Sequence, residues 1–417
     1  MLHWTRVFAL IMFRIFVWLG LGMTLVAQPS LTLRQAVERA LGQHPDLATA
    51  TLEIESQEGL RLQAGKTYNP SINIQLEDVR AWQQPGYRAF QDGEYFAYVQ
   101  QQWELFGKRK RRTEQADAAV RIAALERELA RRQIALRVKT AYWQALGSQQ
   151  RRELLSENLS NFARIVEYHE ARVREGAMAE ADLIRIRLER ERLMLDLNQA
   201  SLDAERARIL LQLAMGEDQF PKLELSEKLE EAPATPPFPV DPAAAIGQRV
   251  ELAIRRIAVE QAGATIRLER AKARPDLTWL AGYKRAGPFD SLVLGAQWDL
   301  MIRNRNEGNI ASAQTLEKQA GSMLRAAEQM ARAEAEAAAE NYRIRRRQLE
   351  DTLPLLRSQA QQTAEIAEAA YREGGTDLLR LLDAQRVRIE ARQVFVDAMV
   401  AYQTSLVELE AALGVPQ

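Results

Sequence analysis

An internal duplication is the feature of this 417-residue sequence that most restricts its fold. Three segments of the first half match segments of the second half in the same order: 47–74 with 252–279, 102–105 with 297–300, and 175–216 with 373–414. The first pair has the pattern of helices that end at Pro70 and Pro275, the second that of strands, and the third that of a glycine turn followed by a helix. Each half is therefore predicted to form helix, two strands, long helix, glycine turn and helix.

Prolines mark the junction between the two halves. None occurs between Gly86 and Phe220, whereas the junction carries Pro221, Pro233, Pro236, Pro237, Pro239 and Pro242. A cluster of this kind is typical of a linker. We therefore expect a first structural repeat at residues 28–220, a proline-rich linker at 221–241 and a second structural repeat at 242–417.

The N-terminus predicts export from the cytoplasm. A mostly apolar stretch from Val7 to Ala27, interrupted only by Arg14, follows Arg6. This pattern indicates a signal peptide at residues 1–27 with cleavage after Ala27. A signal anchor is the alternative, because the stretch is nearly long enough to span a bilayer. No comparable apolar run follows, so any further membrane crossing requires β-strands.

Heptad seams follow the predicted helices. Mostly apolar residues, with His169 and Ser405 among them, recur at steps of four and three in three segments: Leu155, Leu159, Phe162, Val166, His169, Val173; Leu197, Ala200, Ala204, Ala207, Leu211, Ala214; and Phe395, Ala398, Tyr402, Ser405, Leu409, Ala412. Such seams favour long antiparallel coiled-coil helices. One helical pattern runs from Lys108 to Arg174, about 100 Å at the standard rise. The fold class is therefore mostly α with a small β part.

Four segments alternate between apolar and polar residues. They follow Pro70, Gly93, Pro275 and Ser291, and each is about long enough to cross a bilayer as a tilted strand. Four tryptophans in or beside these segments suit an aromatic girdle at the membrane interface: Trp82, Trp103, Trp279 and Trp298. The alternative is an ordinary antiparallel sheet with one solvated face. Four strands cannot close a barrel alone, so the membrane interpretation implies oligomerisation, and three chains would supply twelve strands.

Composition argues against nucleic-acid binding. The chain has 56 basic and 56 acidic residues, which give no overall basic field. The basic run from Lys108 to Arg112 lies behind an export signal, where we interpret it as a solvated helix start.

The sequence also contains no pattern that predicts catalysis or a metal centre. It has no cysteine, which excludes disulfides, thiolate metal sites and a lipidated N-terminal cysteine. His169 lies on an apolar seam and His44 has no partner in sequence, so neither is predicted to bind metal. No phosphate loop, nucleophile motif or paired catalytic carboxylates occur, so we expect no enzyme activity and no cofactor.

The repeated unit behind a signal peptide resembles the TolC-like outer-membrane efflux channels over essentially the whole mature chain. The stretches Glu104-Leu105-Phe106-Gly107-Lys108-Arg109 and Asn304-Arg305-Asn306-Glu307-Gly308 are similar to the heavy-metal branch, the CzcC-like and CusC-like proteins. The resemblance implies a homotrimer in which four strands per protomer contribute to a twelve-stranded β-barrel and the helices form an α-barrel. The β-barrel would lie in the lipid of the cell outer membrane, and the α-barrel would extend into the periplasm.

The same resemblance implies partners and site residues. Its members are passive ducts that work with a periplasmic adaptor, or membrane fusion protein, and an inner-membrane proton-driven pump. Asp383 and Arg380 fall on the two positions of the periplasmic gate, where the family carries acidic residues; an ion pair between them, within or across subunits, is one interpretation and a solvated helix pair is the other. The turns at Glu175, Gly176, Glu373 and Gly374 match the hairpin tips that contact the adaptor.

Two functional hypotheses follow. The first is an outer-membrane channel of a tripartite efflux system that exports substrates, with heavy-metal cations as the expected class. The second is a secreted or periplasmic coiled-coil scaffold without transport activity. Organic compounds or proteins remain alternative cargoes, and the open or closed resting state is not predicted.

Overall fold

A computed structural model describes residues 30–80, 82, 83, 85–229 and 246–415. The predicted signal peptide at 1–27 and most of the predicted linker lie outside these residues. The described residues divide into two compact units, one within 1–42, 138–232 and 349–403 and the other within 43–137, 233–348 and 404–417. Each unit is described by itself.

Long helices dominate the described residues. The helices are α1 Leu33–Gln43, α2 Pro45–Ala64, α3 Ala89–Asp92, α4 Lys108–Arg174, α5 Glu180–Ala214, α6 Val250–Lys272, α7 Glu307–Arg347, α8 Leu353–Arg372 and α9 Leu378–Ala412. The strands are β1 Ser30–Leu31, β2 Ser71–Glu77, β3 Glu94–Trp103, β4 Glu224–Leu225, β5 Leu277–Ala286 and β6 Phe289–Gln297. Both halves contain a helix, two strands, a long helical segment and a further helix in that order. The predicted bounds of the 67-residue helix α4 are confirmed. No helix among the described residues combines the length and apolar character needed to cross a membrane.

The first unit packs along the predicted heptad seams. Leu155, Phe162 and Val166 of α4 are buried in one cluster with Ile186 and Leu193 of α5. Helix α9 contributes residues to the same cluster, as do partly buried residues of the turn regions: Leu378, Leu381, Ile389, Met178 and Tyr371. Burying such side chains contributes roughly 1.5–3 kcal/mol each, so this cluster contributes substantially to the stability of the unit.

A glycine inside α4 permits close helix packing. Gly147 lies in the middle of the helix, where glycine normally costs about 1 kcal/mol relative to alanine. A Cβ atom built on Gly147 would lie 2.3 Å from Cγ2 of Val400 in α9. The glycine is therefore required by the close approach of the two helices.

The first unit contains a two-stranded parallel sheet. β1 pairs with β4 through Ser30 opposite Glu224 and Leu31 opposite Leu225. The fully buried Tyr142 of α4 donates its hydroxyl hydrogen to the carbonyl oxygen of Leu31 over 2.9 Å. This bond satisfies a buried polar atom and fixes β1 against α4.

The second unit contains a four-stranded antiparallel sheet in the order β2-β3-β5-β6. β3 pairs with β5 over ten residues, from Glu94 opposite Ala286 to Trp103 opposite Leu277. β5 and β6 are joined by a two-residue turn at Gly287 and Pro288, because Ala286 lies opposite Phe289. Among the described residues, β2 and β6 each pair along one edge only.

Two strands end before the alternation of apolar and polar residues does, which continues in the sequence to Leu105 and to Leu300. Leu105 lies beyond β3 because its backbone N–H bonds to the Asp276 carboxylate over 3.1 Å, and Phe106 then adopts a positive φ of 56°. Leu300 lies beyond β6, where the backbone N–H of Ile302 bonds to its carbonyl oxygen over 2.8 Å. At each of these two points the chain turns toward the long helix that follows.

The two long helices of the repeats differ in continuity. α4 runs without a break, whereas α7 passes through a π-helical turn at Gln348–Thr352 before α8 begins. Pro354 stands in the first turn of α8, where it has no intrahelical hydrogen bond to donate. The proline therefore accounts for the interruption in the second repeat.

Candidate functional site

The two helix hairpins of the first unit end in the same backbone motif. At the end of α4, the N–H of Ala177 bonds to the carbonyl of Arg172 over 2.9 Å and that of Gly176 to Val173 over 3.0 Å. At the end of α8, Gly375 bonds to Ala370 over 2.8 Å and Gly374 to Tyr371 over 3.1 Å. These are Schellman motifs, which require a residue in the left-handed region.

Glycine supplies that conformation at both tips. Gly176 has a φ of 73° and Gly374 a φ of 74°. Glu175 and Glu373, which precede them, are exposed. The four predicted tip residues therefore form two equivalent, solvent-exposed turns.

The helices that follow the two tips pack in the same core. Ile186 of α5 and Leu378 and Leu381 of α9 belong to the hydrophobic cluster of the first unit. Helix α9 starts with a side-chain cap, because the backbone N–H of Arg380 bonds to the Asp377 carboxylate over 2.9 Å. The start of α9, which carries the predicted gate residues, is thus fixed by a cap and by two buried leucines.

The predicted gate residues are both exposed. Asp383 forms its ion pair with Arg386, at 3.9 Å, rather than with Arg380 in the same chain. An acidic residue three positions N-terminal to a basic one is favoured by the helix dipole, whereas Arg380 precedes Asp383. Exposed pairs of this length contribute little to stability, so Asp383 remains available to other groups.

A buried histidine bridges α4 and α8 close to the tips. His169 is 2 % exposed, its Nδ1 lies 2.7 Å from the carbonyl oxygen of Ile165, and its Nε2 lies 2.9 Å from the hydroxyl oxygen of Tyr371. Both ring nitrogens are therefore occupied by protein groups. Burial raises the pKa of Tyr371, which keeps this hydroxyl a neutral donor. His169 packs within the protein, as its position on the seam indicates.

Charged residues near the first tip form a surface pair. Arg187 of α5 donates to the Glu170 carboxylate of α4 over 2.8 Å. The hydrogen bond from Arg187 holds the pKa of Glu170 below its usual range. Both side chains are substantially exposed, so solvent screens the interaction.

The sheet of the second unit has one apolar face, and that face is exposed. Cross-strand pairing aligns Ile72 with Val99, Val99 with Ala281 and Ala281 with Leu294 in one row. The outer members of this face are largely exposed, with Ile74 at 82 %, Leu292 at 85 % and Leu294 at 82 %. A contiguous apolar surface of this kind marks contact with a partner or a membrane.

Aromatic residues lie at both ends of this sheet. Trp103 and Trp279 lie at the end that leads into the helices, with ring centroids 6.4 Å apart in an edge-on arrangement, and Trp298 follows β6 directly. Trp82 lies in the loop between β2 and β3 at the opposite end and is 76 % exposed. The structure adds Phe90 and Phe289, which are exposed at that same end. Both stand beside turn residues in the sequence, and that position is the sequence feature that indicates an aromatic residue at a strand end.

A metal centre was not predicted, and the described residues contain no group of three or more His, Asp or Glu side chains that could hold a metal ion. His44 of the second unit accepts the backbone N–H of Asp46 at Nδ1 over 3.1 Å and thereby caps α2.

Comparison with known proteins identifies the family. The model of the outer membrane efflux protein family matches residues 36–217 and 242–415. The chain is 25% identical over 386 residues to the cobalt-zinc-cadmium resistance protein CzcC of Cupriavidus metallidurans, covering 92% of this chain and 90% of that protein.

Solved structures share the fold. A membrane protein from Pseudomonas aeruginosa superimposes with a TM-score of 0.78 at 21% identity, covering 92% of this chain and 90% of that one. CusC, studied for its folding and transmembrane channel formation, gives a TM-score of 0.76 at 18% identity, covering 93% of each chain. The predicted fold class and the predicted resemblance are confirmed. The chain belongs to the outer membrane efflux protein family.

Proposed function

We propose that this protein is the outer-membrane channel of a tripartite export system, a passive duct for substrates delivered by other components. The observation that carries the proposal is the exposed apolar face of the four-stranded sheet, bounded by aromatic residues at both ends. Lipid is the environment in which such a face is stable without a protein cover.

The edges of the sheet support a trimer. β2 and β6 each have one edge without a partner among the described residues, and such edges pair readily with another chain. Pairing β2 of one protomer with β6 of the next would join three sheets into a closed barrel of twelve strands. Closure satisfies every backbone group of the strands, which a membrane requires.

We further propose heavy-metal cations as the exported class, on the basis of the similarity to a cobalt-zinc-cadmium resistance protein over 386 residues. Selection of the metal would then rest with an inner-membrane proton-driven pump and a periplasmic adaptor. The channel itself would perform no chemistry.

The individual sites follow the same proposal. Asp383 and Arg380 would line the periplasmic gate, and Glu175, Gly176, Glu373 and Gly374 would meet the adaptor. Trp82, Trp103, Trp279 and Trp298 would contact the membrane interface. Residues 1–27 would be removed on export, and repeats at 28–220 and 242–417 would flank the linker at 221–241.

The absence of native cysteine makes a site-specific test possible. We would introduce Asn73→Cys in β2 and Val293→Cys in β6, separately and together, and treat isolated outer membranes with a bismaleimide cross-linker. The double variant should yield covalent trimers on denaturing gels, and each single variant should not exceed a dimer. Recovery of the mature protein as a soluble monomer would contradict the proposal and favour the scaffold hypothesis.

The substrate is tested in cells. Deleting the gene should increase sensitivity to cobalt, zinc or cadmium salts, and the intact gene should restore resistance only when the pump is present. Unchanged metal sensitivity together with new sensitivity to organic compounds would remove metals from the proposal and leave the channel in place.

A further inference from the structure

The basic run at the start of α4 divides into two groups with different surroundings. Lys108 is buried, and its Nζ lies 2.8 Å from the Asp276 carboxylate and 2.7 Å from the carbonyl oxygen of Arg274. These contacts join the start of α4 to the segment that leads into β5. Lys108 is therefore a structural residue.

Two further members of the run also have partners. Arg111 pairs with Glu114 at 2.9 Å, and Arg112 forms hydrogen bonds with the Glu104 carboxylate. Arg112 additionally donates to the carbonyl oxygen of Ala64 over 2.8 Å. Arg112 thus fixes the junction of sheet and helix, whereas Arg111 pairs within α4.

Arg109 and Lys110 differ from these three. Both are exposed, and neither side chain makes a hydrogen bond or an ion pair with the described residues; the backbone carbonyl of Arg109 accepts from the Thr113 hydroxyl over 3.0 Å. They line a pocket of about 660 Å³ together with Trp103 and Trp279. The size is that of a small-molecule or headgroup site.

Trp279, which lines the same pocket, carries a hydrogen-bond donor without an acceptor in the described part of the chain. The indole Nε1 of Trp279 is buried and has no partner among the described residues. A buried donor of this kind normally finds an acceptor. The Glu104 carboxylate also lines the pocket, but it is already bound by Arg112. Arg109 and Lys110 add two cationic groups to the same lining.

The pocket is continuous with the apolar face of the sheet. Trp279 lies opposite Gln101 and Ala296, two residues along the strand from the row that contains Val99, Ala281 and Leu294. Residues two apart on a strand share a face. An apolar chain on this face would therefore end beside the indole ring and the two free cations.

We propose that this pocket binds the phosphate of a phospholipid headgroup whose acyl chains lie along the apolar face. Arg109 and Lys110 would donate charge-assisted hydrogen bonds to the phosphate oxygens, and the indole N–H of Trp279 would donate a third. This proposal rests on the proposed membrane location and adds a lipid site at the sheet-to-helix junction. Two cations facing one headgroup favour an anionic phosphatidylglycerol over a zwitterionic phosphatidylcholine.

The test measures lipid retention by the full-length mature protein. The purified protein in detergent is mixed with dioleoyl-phosphatidylglycerol or dioleoyl-phosphatidylcholine, and bound lipid is counted by native mass spectrometry. The variant Arg109→Gln with Lys110→Gln should bind phosphatidylglycerol about tenfold more weakly and lose the preference over phosphatidylcholine. Trp279→Phe, which keeps a ring but removes the N–H, should weaken both lipids by roughly threefold.

A matched control removes two exposed cations elsewhere. Lys318→Gln with Arg325→Gln in α7 changes the net charge equally and should leave lipid binding unaltered. Equal binding by wild type and the Arg109/Lys110 variant would overturn the site, as would full displacement of the lipid by inorganic phosphate. If either of these two results is found while the wild-type protein still forms trimers in the outer membrane, the lipid site alone is rejected and the proposed function stands. A wild-type protein that does not reach the outer membrane would instead overturn the proposed function.

Discussion

The hydroxyl group of Tyr371 donates a hydrogen bond to Nε2 of His169 over 2.9 Å, joining α8 to α4 near their C-terminal ends. The direction follows from the other ring nitrogen. Nδ1 lies 2.7 Å from the carbonyl oxygen of Ile165, which can only accept, so the neutral ring carries its proton on Nδ1. The two ends of the helices that lead into the exposed tips are thereby connected through one buried ring.

Replacing Tyr371 with phenylalanine should loosen this connection. The change leaves Nε2 of a buried histidine without a donor, at a cost of about 1–3 kcal/mol. Hydrogen exchange of the amides in the last turns of α4 and α8 should accelerate roughly tenfold or more. Tyr168→Phe is the matched control, because the Tyr168 side chain is exposed. Similar acceleration in both variants would show that the bond has no stabilising role.

Tyr142 should resist ionisation in alkali. Burial, with a smaller contribution from Glu227, raises the pKa of its hydroxyl well above the usual value. The folded state therefore holds this proton more tightly than the unfolded state, and the stability it contributes is complete below about pH 10 and lost as the pH rises above that value. Tyrosinate absorbance of wild type and Tyr142→Phe should coincide until the protein unfolds. A difference near pH 10 would mean that Tyr142 reaches solvent.

The substitution Gly374→Val should disrupt the turn at the second hairpin tip. Gly374 has a φ of 74°, a conformation that costs a side-chain-bearing residue about 1–2 kcal/mol. The turn should rearrange, and the yield of site-specific cross-links to the adaptor should fall. Gly375→Ala provides the control, since its Cβ would meet the carbonyl oxygen of Ala370 at an ordinary 3.5 Å. An undiminished yield for the valine variant would argue against adaptor contact at this turn.

The proposed gate predicts a change in conductance. Asp383→Ala combined with Arg380→Ala should raise single-channel conductance in planar bilayers, because both exposed charges are removed from the start of α9. Arg386→Ala serves as the control variant, because it removes the ion-pair partner of Asp383, at 3.9 Å, and keeps the Asp383 carboxylate. The conductance of that variant should stay at the wild-type level. An unchanged conductance in the double variant would exclude Asp383 and Arg380 from gating.

Alanine at position 282 should prevent the sheet from forming its observed register. A Cβ atom there would lie 2.3 Å from both the carbonyl oxygen of Ala97 and the Cβ of Tyr98. Overpacking against backbone costs about 1–3 kcal/mol or more, so the amount of trimer in the outer membrane should fall. Gly295→Ala should be milder, because its Cβ would meet only the movable side chain of Leu280 at 3.1 Å. Equal trimer yields for both variants would contradict the close approach.

The periodic features of the fold were accessible from the sequence. Helix α4 has the predicted bounds because Gly107 and Gly176 stand at its borders, no proline interrupts it, and its seam repeats at heptad spacing. The sheet pairs the four predicted strands with their apolar residues in shared rows, because a period of two fixes the face of every residue. Local pattern was sufficient in both cases.

Contacts between distant positions were not accessible. His169 and Tyr371 are 202 residues apart, and the seam pattern at His169 gives no indication of its partner. Likewise, the uniform basic run of α4 does not distinguish the buried Lys108 from the exposed Arg109 and Lys110. Their difference arises from Asp276, which reaches Lys108 only once β5 has paired with β3.

The open edges of β2 and β6 and the apolar face between them have a consequence for biogenesis. A newly exported protomer that folded to this form in water would present both a pairing template and an apolar surface, the combination that leads chains into aggregates. To avoid aggregation, such a protomer would need either to bind a periplasmic chaperone or to assemble into trimers faster than unassembled protomers collide. Overproduction should therefore cause aggregation through the sheet. Replacing Ile74 or Leu292 with a charged residue should reduce this aggregation and abolish insertion into the membrane.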